Sequence, residues 1–426
     1  MEKQQLRWMR LDNAAKIYPA ARRRSWSNLF RVSATLKDEI DIDVMQKALD
    51  LTVKRFPSIA VRIRMGVFWY YLEEIKNAPK IQKEYAYPMR RMPFDDIRKC
   101  AFRVVCYNNR VAVEFFHAVT DGNGGLVFLK SLLAEYLILK YGITVTFDDS
   151  VLDINDAPSK QEMEDSFLKN DCPISASRKE ATAYQLKGDL EPDGFLNLVT
   201  GILNVDEVLK AAHNYGVSVT TFLTAVMIVS IAKIQNKRVK KRFKKKPVKV
   251  LVPINLRPLF KSKTLRNFAL YTTPGIDTRM GRYSFEEVLK IVHHHMGMEN
   301  TKKQMASKIA TNVNSERMLI VKILPLFIKN FVMKTIYNMV GEIKSSITLS
   351  NLGAVKLPDE MVPFVDRMDF VLGPQATCPN NCGVISFGGK LYISFLRTIK
   401  EPELEREFFC YLKKLGLNIK IESNRR

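Results

Sequence analysis

The chain has 426 residues, 46% of them hydrophobic and 26% charged, a globular composition that excludes disorder over the whole length. Its net charge of +23 points to anionic partners: nucleic acid, an anionic membrane face or a phosphorylated small molecule. Six cysteines are too few for a disulfide framework, the start Met1–Gln5 opens no apolar secretory signal, and the expected compartment is reducing cytoplasm.

In chain order, Leu29 to Leu36 reads as a strand. Ile42, Met45, Leu49 and Val53 recur at helical spacing between Asp41 and Phe56. Pro57 ends that helix, because the residue before proline avoids helical angles. Ile59 to Arg64 and Phe68 to Leu72 read as a hairpin, and Ala101 to Cys106 and Val111 to Phe116 as a second strand pair. A loop carries His117 to Asn123, and Gly124 to Tyr141 is helical, with Leu126, Leu129, Leu133 and Leu137 along a core-facing side.

A chain this long rarely builds a single core. The polar stretch from about 147 to 180, with Pro158 and Pro173, is the expected linker between a lobe at 1–180 and a lobe at 181–426. In the second half, Phe195 to Asn204 is strand-like, Val205 to Tyr215 helical, and Thr220 to Ile234 a buried helix. Val217 to Ala232 is too short an apolar run to span a bilayer. Lys249 to Pro253 is a strand, Ser284 to Ile309 one long polar helix, and Met318 to Val340 an amphipathic helix. Ser346 to Leu349, Arg367 to Leu372, Cys382 to Phe387 and Leu391 to Phe395 are strands before a closing helix from Pro402 to Leu415.

His117 is delivered by a strand and followed by Asp121 and Gly122. Glycine admits a sharp turn there. A histidine of near-neutral pKa takes a proton from a hydroxyl, amine or thiol. On spacing alone, however, a histidine after a strand reads first as a hydrogen-bonded structural residue. Asp121 would act on the imidazole or brace the loop through an arginine.

His117, Asp121 and Gly122 in a strand-to-helix loop form the pattern His-x-x-x-Asp-Gly, which resembles the chloramphenicol acetyltransferase-like superfamily. Other segments agree in order: Ile42 to Arg62 with its Arg55-Phe56-Pro57 stop, Gly216 to Thr220, Val252 to Pro258, Asn267, and Ser350-Asn351-Leu352-Gly353. The plant signature Asp-Phe-Gly-Trp-Gly is absent. The resemblance implies an α/β fold of two lobes, each a mixed sheet flanked by helices, with a tunnel between them. It implies direct acyl transfer from acyl-coenzyme A to an alcohol or amine, with His117 as general base and no resident cofactor. Asp121 would be a structural brace paired with Arg257, Gly122 would make the turn, and Ser350, Asn351 or Ser394 would supply the oxyanion donor. The alcohol acetyltransferase branch is the nearest match. A membrane-peripheral synthase of wax-ester or diacylglycerol type, a free-standing condensation enzyme with a carrier-bound donor, and a catalytically silent scaffold remain as alternatives.

Lys237 to Lys249 holds nine basic residues and no acid. It reads as a solvated loop, as a seat for coenzyme A phosphates through Lys244, Lys245 and Lys246, or as a contact to an anionic membrane. With Phe243 as its one ring it is a poor nucleic-acid platform. His293, His294 and His295 point about 100° apart on a helix and cannot converge on one metal ion. Cys378 and Cys382, with no second pair nearby, read as incidental thiols.

Overall fold

The computed structural model describes residues 6–21, 28–84, 87–172, 181–317, 325–336, 342–375 and 378–425. Two large sheets organise them. The first has five strands in the spatial order Val365–Leu372, Leu29–Leu36, Arg110–Phe116, Phe102–Tyr107, Gln82–Lys83. Leu29–Leu36 is buried at every position but Thr35, so both its faces are covered and its alternation in sequence is loose.

The second sheet runs Ala269–Thr272, Val248–Asn255, Ile347–Ala354, Asn380–Phe387, Lys390–Arg397, Asn197–Asn204, Lys420–Ser423, with Gly275–Ile276 also on Val248–Asn255. Its three neighbours Val248–Asn255, Ile347–Ala354 and Asn380–Phe387 are parallel, and the rest pair antiparallel. A small third sheet joins Trp8–Arg10 to the hairpin Val61–Met65 and Tyr70–Glu74.

Three helices fix the sheets, and each starts where a side chain meets orphan N–H groups. Asp41 caps Ile42–Arg55 by accepting from Asp43 and Val44 N–H, both at 3.0 Å. Asp121 caps Gly122–Tyr141, which ends at Gly142 in the left-handed conformation (φ 66°). Ser218 caps Val219–Arg238. The last two helices are long and apolar enough to cross a membrane, yet 72% and 67% of their apolar windows lie buried inside the protein. They are the central helices of the two cores.

The sheets do not follow a division at residue 180. Val365–Leu372 comes from the second half but pairs antiparallel with Leu29–Leu36, Asp369 lying opposite Ser33. The chain then returns to the second sheet at Asn380–Phe387. Gly383 allows this return, since a Cβ there would come within 2.5 Å of the Phe370 carbonyl oxygen. The polar stretch after 147 is also no free tether. Phe167 is fully buried and packs edge-on to Phe268, and Glu162 accepts from both Arg55 terminal nitrogens at 2.6 and 3.1 Å. Residues 173–180 lie outside the described residues.

The single polar helix expected from Ser284 to Ile309 is two helices, Phe285–Glu299 and Lys302–Arg317. Asn300 caps the first, and Thr301 accepts from Gln304 N–H at the start of the second. The pattern Thr301-x-x-Gln304 was legible as a restart. Of the amphipathic helix expected at 318–340, Leu326–Ile336 is helical and the remainder lies outside the described residues.

Candidate active site at His117

The strand Arg110–Phe116 ends one residue before His117, whose N–H donates to the Asn28 carbonyl at 2.9 Å. Ala118, Val119 and Thr120 are buried, and the Thr120 hydroxyl donates to the Leu265 carbonyl at 2.6 Å. The loop is thereby fastened to the second half of the chain. The imidazole is half-buried in an aromatic cage. Tyr18 stacks on it at 4.8 Å between centroids and 16° between planes, and Phe30 meets it edge-on at 5.1 Å.

His117 Nδ1 lies 3.1 Å from Asn267 Oδ1, while Asn267 Nδ2 donates to Asp12 Oδ2 at 3.3 Å. An amide oxygen only accepts, so Nδ1 carries the proton and the Nε2 lone pair is left for a substrate. Burial pushes the imidazole below the ordinary histidine value; a hydrogen bond to the residue's own backbone, the Asp121 charge and the Asn267 bond oppose this without reversing it. The ring is neutral at pH 7, the form a general base requires.

Asp121 does not hold the imidazole. Its Oδ2 accepts from Arg257 Nη1 (2.9 Å) and Phe268 N–H (2.9 Å), and its Oδ1 from Arg257 Nη2 (3.0 Å) and Gly124 N–H (3.1 Å). Arg257 completes its own set with the Thr264 carbonyl from Nε, Asn255 Oδ1 from Nη1 and the Arg266 carbonyl from Nη2. All five guanidinium N–H groups are used. Burial raises the Asp121 carboxyl, but Arg257 and the backbone donors overcome it and hold the group below the usual carboxylate range.

Gly122 does not make a turn. It is the first residue of its helix and its φ is not positive. A side chain there would have to displace Leu352, since a Cβ would lie 2.7 Å from Leu352 Cδ2. Gly124 is tighter, because a Cβ there would strike Thr120 Oγ1 and the Leu265 carbonyl oxygen. The closeness of Leu352 to Gly122 brings Ile347–Ala354 against the His117 loop. On this strand Ile347 and Leu349 belong to the second core while Leu352 packs on the first, and the alternation puts Ser350 on Leu352's side. Asn351 is committed, donating to Thr220 Oγ1 at 3.0 Å and accepting from Gly353 N–H at 2.8 Å. Ser394 is buried and shares a hydrogen bond with Thr200 at 3.1 Å.

Lys244, Lys245 and Lys246 are not brought to His117. They precede Val248–Asn255, whose far end carries Asn255 and Arg257, so that strand separates them by roughly 25 Å. The basic segment is partly neutralised by the last helix, with Lys237 on Glu407 and Arg238 on Glu403. Among the described residues no cluster of three His, Cys, Asp or Glu could hold a metal ion. Cys378 and Cys382 are buried and in no disulfide, the Cys378 thiol lies 3.6 Å from the Ser345 carbonyl, and burial pushes the Cys382 thiol up, away from a reactive thiolate. Asn267 had been singled out only by spacing, and Asp12 and Tyr18 not at all. They reach His117 from 150, 105 and 99 residues away, a distance at which no periodicity signals contact.

No family model and no curated protein matches the chain. Solved structures do. TRI101 of F. graminearum complexed with ethyl coenzyme A aligns over 98% of this chain and 100% of that one, with TM-score 0.64 and 11% identity. The likeness is one of fold, shared over almost the whole of both chains. TRI3 trichothecene 15-O-acetyltransferase from Fusarium sporotrichioides gives TM-score 0.59 at 11% identity, covering 96% of this chain and 94% of its own. The condensation domain of the Monacolin K polyketide synthase MokA gives 0.57 at 11%, covering 97% of each chain.

In this fold the Asp121–Arg257 pair is a brace between halves, and its removal has a defined cost. Asp121→Asn keeps the shape but leaves a mostly buried guanidinium unpaired and turns an NH2 toward donors. Urea denaturation at pH 7 should show a loss of about 3 kcal/mol. Because the folded pKa is depressed, the stabilisation is present above the ordinary carboxylate pKa and is lost as pH falls through the depressed one. The gap between wild type and variant should therefore close in strong acid. An unchanged midpoint at pH 7 would contradict the brace.

Proposed function

We propose that the protein is an acyltransferase that moves an acyl group from acyl-coenzyme A to an alcohol or amine, with His117 as general base. The observation that carries this is the placement of the His117 imidazole at the junction of the two halves, with Nδ1 3.1 Å from Asn267 Oδ1 and burial lowering its pKa, an arrangement that leaves Nε2 to a substrate. An acceptor O–H or N–H gives its proton to Nε2 as its heteroatom attacks the thioester carbonyl. The tetrahedral intermediate collapses and expels the coenzyme A thiolate, which recovers the proton from the imidazolium. No acyl-enzyme forms. Binding both substrates beside one base removes the entropic cost of their encounter.

The intermediate's oxyanion needs a donor. Ser350 fits that role better than Asn351 or Ser394, whose polar groups are already taken. Acyl-coenzyme A is a co-substrate in this scheme. The neighbours solved with coenzyme A, two of them with T-2 as well, support that donor. The condensation-domain neighbour keeps a carrier-bound donor as the rival within the same chemistry. A cytoplasmic location belongs to the same proposal.

Thiol release from acetyl-, butyryl- and long-chain acyl-coenzyme A against mixed alcohols and amines tests the activity. His117→Ala should lower the rate about 10²- to 10⁴-fold. The acid limb of kcat/KM should fall below pH 6.5, because burial lowers the His117 pKa from about 6.5 and the base is lost only on protonation. Near-native transfer by His117→Ala, or an acid limb above pH 7, would refute the role.

A second reading has its own observation. Val67 is 74% exposed at the tip of the Val61–Glu74 hairpin, and Phe327 and Phe331 on Leu326–Ile336 are 74% and 73% exposed. The two elements are joined there, with Leu326 N–H on the Val67 carbonyl at 3.0 Å and Lys329 Nζ on the Phe68 carbonyl at 2.9 Å. Leu326–Ile336 carries two lysines and no acid, and the chain is strongly basic. An exposed apolar face on a strongly basic chain suits an anionic bilayer holding a lipophilic acceptor. Phosphatidylserine vesicles should sediment the wild type at low salt and release the Phe327→Ser/Phe331→Ser variant. Equal sedimentation of the two proteins would count against the bilayer.

A further inference from the structure

The identity of the atom that Asn267 shows to His117 is decided one layer further out. An asparagine side chain offers an oxygen or an NH2 of nearly equal size, and its other partner selects between them. That partner is Asp12, which has no exposed surface and receives Asn267 Nδ2 at 3.3 Å on Oδ2 and Ala15 N–H at 2.7 Å on Oδ1. Arg266 Nε lies 3.8 Å from Oδ2. Burial pushes the Asp12 carboxyl up to about 6, which still leaves it ionised and acceptor-only at pH 7.

Asp12 stands in an N-terminal strap laid over the site. Leu11 and Ala15 are buried, and Tyr18 on the following helix stacks on His117. Asn13 Nδ2 donates to the Asn312 carbonyl, and Arg266 Nη2 to the Arg10 carbonyl. The strap is thus tied to the second half on both sides of Asp12.

We propose that Asp12 is a positioning residue for His117: through Asn267 it fixes the tautomer that leaves Nε2 free to act as base. This rests on the base role proposed above for His117. The carboxylate draws the Asn267 NH2 to itself and so turns the carbonyl to Nδ1–H. With the carboxylate gone, the amide can reverse, donate to Nδ1 and move the ring proton to Nε2, where it blocks proton uptake from an acceptor.

Exchanging the two side chains separates positioning from mere packing. Asp12→Asn makes both members amides and frees the orientation, while Asn267→Asp alone sets two carboxylates side by side. Asp12→Asn/Asn267→Asp together restore one amide and one carboxylate, with the carboxylate now accepting directly from Nδ1–H. Each single variant should lose roughly tenfold to a hundredfold in kcat, with a smaller change in KM. The double variant should recover most of the loss. Nitrogen NMR of the His117 ring should show Nδ1–H in wild type and double variant and a tautomer mixture in Asp12→Asn. If Asp12→Asn does not fold, Asp12→Ala read the same way decides the point. A wild-type tautomer in the Asp12 variant, or a double variant no better than the worse single one, would overturn the proposal. The NMR readout needs no substrate, so it judges Asp12 even if the acyl-transfer reading fails.

Discussion

The Asp121 carboxylate is the contact on which the rest of the structure leans. Within one residue it caps the helix Gly122–Tyr141, pairs twice with Arg257 and takes the Phe268 N–H. Desolvating the two charges is costly, and their attraction offsets that cost only because every remaining donor on Arg257 also finds an acceptor. The pair closes the loop 117–121 onto the segment 255–268. It also leaves Asp121 nothing to offer the imidazole. The arrangement is therefore divided: one acid holds the halves together, and an amide from the second half orients the His117 imidazole.

That division suits direct transfer between two bound substrates. An aspartate on Nδ1 would raise the imidazole pKa. An amide carbonyl gives direction with a weaker effect on basicity, and the apolar walls from Tyr18 and Phe30 favour the neutral form. A neutral histidine with a fixed tautomer is the form that the proposed direct transfer calls for.

Much of this was legible in the sequence because it is local. Asp41, Ser218 and Ser284 announce their helices through their own side chains. The loop 117–122 and Arg257 could be matched because their spacing is set by a strand end and a helix start. What the sequence hid is non-local or depends on what covers a surface. Val365–Leu372 reads as a strand, but nothing in it says that it pairs with Leu29–Leu36 in the other half. Gly122 looked like a turn residue; its need is the closeness of Leu352, 230 positions away. The polar composition of 147–172 suggested a tether, yet Phe167 and Glu162 are anchored. Asp12 and Tyr18 carry no motif, and only the folded strap gives them a place beside His117.

The central claim is that His117 is a neutral base whose proton sits on Nδ1. The chain has only five histidines, and the other four (His213 and His293 to His295) serve as internal references. A pH titration of the histidine ring nitrogens by NMR on the free protein measures both properties of His117 at once. The account predicts a His117 midpoint below 6.5 and an Nδ1–H tautomer at pH 7. An imidazolium at pH 7, or a proton on Nε2, would contradict it.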